Sequence, residues 1–247
     1  MHPALATILD QGRDRYQNVL EGFLPFADAL ARIPIRPPED PASPRWHNAY
    51  FFGLDAVALY GILATRRPGL LLEVGSGHST LFARRAIVDE GLVTRIVSVD
   101  PQPRADVDAV CDQVIRVRLE DIDLDRLPAL SAGDILFLDG SHLCRINSDV
   151  TVAFCELIPA LAPGVLVHIH DIFLPSDYPP PWLGWNFSEQ YLLAAQLLAG
   201  ATRFEVLLPA FYVHCDPVLS EVLTPLWERV GLSGYERAGH SMWLEMR

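Results

Sequence analysis

No run of about 18 uninterrupted apolar residues, the length that spans a bilayer, occurs in this 247-residue chain. Pro, Gly or charge cuts every apolar stretch, and residues 1–10 lack the basic start and apolar centre of a secretory leader. The reading is no membrane span, no signal peptide and a cytoplasmic location. Basic residues are also scarce, 19 against 31 acids for a formal net charge of -12, and they are scattered. Without a basic face to neutralise phosphates, nucleic acid is not the expected partner. The four cysteines, Cys111, Cys144, Cys155 and Cys215, show no CxxC spacing. Their mostly apolar surroundings predict reduced, buried thiols in a reducing compartment. Half of the residues are hydrophobic, enough to bury the core of one large α/β domain with an N-terminal extension.

Residues 1 to about 30 carry Ile8, Leu9, Tyr16, Val19, Leu20, Phe23 and Leu24 at helical spacing, which predicts one or two helices laid over the main domain. Residues 34–44 hold five prolines in eleven positions and sustain neither a helix nor a central strand. Arg45 to Phe52 is aromatic and polar, and reads either as an anchor for the N-terminal segment or as a lid over a ligand; a helix follows to about Arg66. This divides the chain into a helical, Pro-rich cover, 1–66, and an α/β domain, 67–247.

From residue 70 onward, strand and helix patterns alternate. Strands are expected at 70–74, 94–99, 114–119, 134–139, 164–170, 203–208 and 240–246, and helices at 78–90, 104–111, 146–161, 187–199 and around 217–230. Continuous apolar strands separated by helices predict a doubly wound, mostly parallel, seven-stranded sheet, with ligands at the carboxyl ends of its strands.

The first strand end reads Glu73-Val74-Gly75-Ser76-Gly77-His78-Ser79-Thr80, a turn without Cβ atoms at two positions, with Thr80 where a dinucleotide fingerprint has its third glycine. Asp100 ends the second strand, placed to accept hydrogen bonds from ribose hydroxyls. Glu120-Asp121 ends the third, suited either to an adenine amino group or to a solvated cap. The fourth ends in Asp139-Gly140-Ser141-His142 and the fifth in His168-Ile169-His170-Asp171. His168 is expected to be a core histidine. The loop from Ile172 to Asn186 contains three consecutive prolines with Tyr178, Trp182 and Trp185, and reads as a wall of an acceptor pocket whose aromatic faces suit a sulfonium.

Over residues 70 to about 208 these pieces resemble the class I S-adenosylmethionine-dependent methyltransferases, a Rossmann-like fold. The chain is most similar to bacterial small-molecule O-methyltransferases related to the macrolide-sugar and cephalosporin-tailoring enzymes. The resemblance implies a cofactor site of Glu73, Gly75, Ser76, Gly77, Ser79, Asp100, Glu120, Asp121 and Asp139 for S-adenosyl-L-methionine. It matches Asp139 and Asp171 to the family's magnesium-binding acids and His142 to its general base. His170 stands where relatives carry a further acid. A divalent-metal site of Asp139, His170 and Asp171 is therefore an expectation that the imidazole would shift from Mg toward Mn, Fe or Zn, or abolish.

The residues support the chemistry independently: methyl transfer needs an oxygen nucleophile in line with the methyl carbon and a group to take its proton. The candidates for this work are His142, Asp139 and Tyr178. The expected function is O-methylation of a small hydroxylated metabolite, with a homodimer left open. Two alternatives stand beside it: an enzyme that cyclises the aminobutyrate part of the cofactor and releases methylthioadenosine, and a cofactor-binding module without catalysis.

Overall fold

The computed structural model describes residues 1–247. Its strands are β1 (Leu70–Val74), β2 (Arg95–Val99), β3 (Gln113–Ile115), β4 (Ile135–Leu138), β5 (Leu166–Ile169), β6 (Phe204–Pro209) and β7 (Met242–Met246), in one sheet of order β3-β2-β1-β4-β5-β7-β6. Strands β1 to β5 pair in parallel, and β7 runs antiparallel to both β5 and β6. Every residue of β1, β4 and β5 is buried, which is why these strands read as unbroken apolar runs rather than alternating ones. The order reverses at β1, flanked by β2 and β4, so a crevice opens there at the carboxyl ends. This is the doubly wound, mostly parallel seven-stranded sheet expected from the sequence.

The helices are α1 (Pro3–Asp10), α2 (Arg13–Glu21), α3 (Ala27–Ala31), α4 (Gly53–Arg66), α5 (His78–Asp89), α6 (Asp149–Val152), α7 (Ile158–Ala160), α8 (Glu189–Leu198), α9 (Ala210–Cys215) and α10 (Thr224–Val230). A π-helical turn, Ala153–Leu157, joins α6 to α7. Leu9, Tyr16, Leu20 and Phe23 are buried, and the hydrophobic core runs from them into the sheet without a break. Helix α4 is buried from Gly53 to Ala64. No helix is long and apolar enough to cross a membrane.

Several local expectations are corrected. Residues 104–111 form only a short 3-10 turn, Asp108–Val110, because Val107 is the one fully buried residue there. The third strand stops at Ile115, and Glu120-Asp121 sits in a separate 3-10 turn, Leu119–Asp121. The 217–230 helix is broken before Pro225, into Leu219–Glu221 and α10. The cysteines are all free, as expected, but Cys144, Cys155 and Cys215 are exposed and Cys111 is half-buried. An apolar neighbourhood in sequence did not place them on the inward faces.

Candidate active site

The crevice holds a cavity of about 480 Å³, within the range of ligand pockets. After β1 the chain turns through Gly75, Ser76 and Gly77 into α5. Gly75 has φ +83°, and a Cβ there would stand 1.8 Å from the Asp139 carbonyl oxygen, so the two strand-end turns meet backbone to backbone. Gly77 differs. A Cβ at Gly77 would find no neighbour nearer than Arg104 Cβ at 3.6 Å, and both residues line the cavity.

Beneath the turn, the fully buried Glu73 accepts hydrogen bonds from the hydroxyls of Ser79 (2.6 Å) and Thr80 (2.5 Å), and Thr80 Oγ1 accepts the Gly77 N–H (3.0 Å). Thr80 therefore ties the turn together in place of a third glycine. Burial pushes the Glu73 carboxyl up to about 8, against the pull of the two hydroxyls. Glu73 braces the turn from below and does not line the cavity.

Asp100 lines the cavity from the end of β2; its Oδ2 accepts the Ser76 N–H and its Oδ1 the Gln102 N–H, each at 2.7 Å. The structure brings Gly75, Ser76, Gly77, Ser79, Asp100, Glu120 and Asp139 together on this one cavity. Asp121 is not among them, and pairs with the Arg118 guanidinium (Nε–Oδ2 2.8 Å). The aromatic segment before α4 divides between the core and the cavity. Trp46 and Phe51 are buried against Phe82, whereas Tyr50 is half exposed, stacks on His78 with ring centroids 6.0 Å apart, and lines the cavity.

At the β4 and β5 ends, Asp139 and Asp171 converge on His142, whose ring is 2% exposed. His142 Nε2 lies 3.3 Å from Asp139 Oδ1 and 3.4 Å from Asp171 Oδ2, and Nδ1 lies 2.9 Å from Glu189 Oε2. His142 (φ +58°) and Asp171 (φ +53°) both adopt left-handed backbone, a region that His and Asp enter more readily than most residues. Burial opposes charge on the ring, but the hydrogen bonds to Asp139 and Glu189 outweigh it and raise the His142 pKa well above its ordinary value. Burial likewise opposes charge on Asp139, yet the positive fields of His170 and His142 hold its carboxyl well below the usual range. Burial pushes Asp171 and Glu189 up.

His170 Nε2 lies 3.7 Å from Asp171 Oδ1 and its ring packs on Phe51. His168 is a core histidine, stacked on Phe137 at 3.8 Å and edge-on to Trp243; burial and the neighbouring His170 push its pKa well down. The ligand atoms that lie within 4.8 Å of one another belong to Asp139, His142 and Asp171. His142 thus occupies the place that the sequence reading gave to His170, because its left-handed backbone turns it back between the two acids. Two carboxylate oxygens and one imidazole nitrogen fit a divalent ion, with Mn, Fe or Zn suited better than Mg.

The sequence reading missed Glu189, which is 3% exposed. Its only local signal was an acid in the first turn of an apolar helix, which the helix dipole explains equally well. Ser188 holds the N-cap position of α8, but its hydroxyl accepts the Cys144 N–H at 2.9 Å and makes no capping bond. Tyr178 is buried, accepts the Gln190 N–H at 3.3 Å, and does not line the cavity. Phe187 packs between them, its ring 4.7 Å from His142 and 6.0 Å from Tyr178. The proline-rich loop therefore lies over the far side of His142, away from the cavity.

Residues 72–172 match a protein family described as "Methyltransferase domain", a span from β1 through the first residue after Asp171 that contains both halves of the site. Comparison with curated protein sequences gives no match. Among solved structures, the chain is similar to the methyltransferase PaMTH1 of Podospora anserina bound to S-adenosylhomocysteine (17% identity, TM-score 0.47, covering 78% of this chain and 77% of that one). It is also similar to the plantazolicin methyltransferase BpumL in complex with S-adenosylhomocysteine (10% identity, TM-score 0.48, 96% and 90%). A third is the [4+2]-cyclase SpnF (16% identity, TM-score 0.39, 94% and 94%). Identities and scores this low carry no substrate or residue role over to this chain. The family match over residues 72–172 agrees with the methyltransferase class that the sequence motifs implied.

Proposed function

We propose that this chain transfers the methyl group of S-adenosylmethionine to a hydroxyl of a small metabolite. The supporting observation is that Asp139 belongs to two structures at once: it lines the cavity beside the Gly75–Gly77 turn and Asp100, and its Oδ1 lies 3.3 Å from His142 Nε2. When bound, S-adenosylmethionine supplies an electrophilic methyl on a sulfonium. The space at Gly77, where a Cβ would meet no protein atom within 3.6 Å, and the cavity-facing Asp100 carboxylate fit an amino-acid and a ribose moiety respectively.

Asp100 accepts from ribose hydroxyls while keeping its bonds to the Ser76 and Gln102 N–H groups. Asp139 and Asp171 place negative charge at the rim where the sulfonium and its reaction partner meet. His142 Nε2 is the atom that takes the acceptor's proton. Asp139 and Glu189 favour the charged form of the ring, and a sulfonium brought to the same rim opposes it. Asp139, His142 Nε2 and Asp171 could instead hold a divalent ion; the ion would then take the place of the imidazole as the group that lowers the pKa of an acceptor hydroxyl.

Incubation with S-adenosylmethionine labelled in its methyl group tests the reading against extracts of hydroxylated metabolites. Label in an acceptor together with S-adenosylhomocysteine is expected. Methylthioadenosine formed without an acceptor would replace it with cyclisation, and bound but unconsumed cofactor would leave a non-catalytic module.

A further inference from the structure

We infer that Glu189 is a positioning residue for the proposed transfer: it accepts the His142 Nδ1–H and thereby reserves Nε2, between Asp139 and Asp171, as the working atom of the ring. The inference rests on the reading of His142 as the residue that takes the acceptor's proton.

The contact is built from both chain and side chain. The His142 carbonyl oxygen accepts the Ser188 N–H at 2.8 Å and the Glu189 N–H at 3.2 Å, so the first turn of α8 is docked on the residue that its carboxylate also meets at 2.9 Å. Glu189 is 3% exposed and His142 is its one hydrogen-bond partner among side chains. Leaving such a carboxylate unpaired would be costly, whereas pairing it with one imidazole nitrogen sets the ring's orientation.

The same geometry decides the tautomer. A neutral imidazole has one N–H and one lone pair. Two carboxylates stand at Nε2, at 3.3 and 3.4 Å, and would hold the proton there, sending the lone pair to the buried Nδ1 side. Glu189 is the shorter contact and the counterweight. With it in place, the proton of the neutral ring stays on Nδ1 and the lone pair points toward Asp139, which lines the cavity, and Asp171. Carboxylate-supported imidazoles at metal and proton-transfer sites are oriented on the same principle.

Nuclear magnetic resonance of ¹⁵N-histidine-labelled protein reads this directly, with His142 assigned by the loss of its signals in His142→Asn. The wild type is expected to show a downfield, exchange-protected proton on Nδ1, present whether the ring is neutral or charged. Glu189→Gln, which keeps an acceptor oxygen, should retain the signal shifted upfield. Compared at a pH where the ring is neutral, Glu189→Leu, similar in bulk, should lose it and carry the proton on Nε2. A merely structural Glu189 would lower the melting temperature in Glu189→Leu and leave the Nδ1 signal in place, and that result overturns the inference, as does a wild-type ring protonated on Nε2 alone. Binding of S-adenosylhomocysteine by the same three proteins is expected to agree within about twofold, since Glu189 does not line the cavity. Absence of binding by the wild type would defeat the proposed function while the Nδ1 signal still reported on Glu189.

Discussion

His142 Nε2 and Asp171 Oδ2 stand 3.4 Å apart, although one follows β4 and the other β5. Both residues hold left-handed backbone, so the pair depends on two turns adopting an uncommon conformation together. Removing the imidazole removes the group that takes the proton. His142→Asn is expected to slow methyl transfer by about 10²–10⁴ fold, the usual contribution of a positioned acid–base group. Affinity for S-adenosylhomocysteine should stay within about twofold, because His142 lies outside the cavity wall; parallel turnover and calorimetry check the split.

The two glycines of the β1 turn should fail in different ways. Gly75→Ala forces a methyl into the Asp139 carbonyl at a positive φ and is expected to lose about 2 kcal/mol or more of stability, read as a lower urea midpoint. Gly77→Ala meets nothing in the protein nearer than 3.6 Å. It should fold normally and lose cofactor affinity instead, because its methyl enters the cavity.

Glu73 predicts a pH dependence of stability. Its carboxyl titrates near the ordinary 4.5 when unfolded and at about 8 in the fold, so between these values the folded chain binds a proton that the unfolded chain does not. Stability falls as pH rises through that window and levels off above it. Urea midpoints measured from about pH 5 to about pH 8 should decline in the wild type and decline less in Glu73→Gln.

The cysteines should separate by reactivity. Burial pushes the half-buried Cys111 thiol up to about 11, so at mildly alkaline pH it supplies little thiolate. Iodoacetamide followed by peptide mass mapping should label Cys144 and Cys155, both exposed, at least about tenfold faster than Cys111.

The sequence made legible what is local and periodic. The strand pattern located all seven strands, and Gly75, Gly77 and Asp100 were readable because turn chemistry and strand ends lie close together along the chain. Side-chain direction was not readable. Glu73 carries the same motif letter whether it faces a ligand or braces a turn, and only Ser79 and Thr80 closing on it from α5 decide the matter. The exchange of His142 for His170 in the acid cluster goes with left-handed backbone at both His142 and Asp171, which no local composition announces. Glu189 lies 47 residues from its partner and becomes visible only when α8 docks. The failed helix at 104–111 shows the converse: a plausible local pattern with one buried anchor does not persist.

The central claim is that the cavity between β1, β2 and β4 is a cofactor site whose ribose ligand is Asp100. Calorimetric titration of S-adenosylhomocysteine into the wild type and Asp100→Ala tests it most directly. One saturable site in the wild type, weakened about tenfold or more in the variant, is the predicted result, matching the loss of hydrogen bonds to a charged acceptor. Equal affinities would contradict the ribose assignment, and no binding by either protein would contradict the site itself.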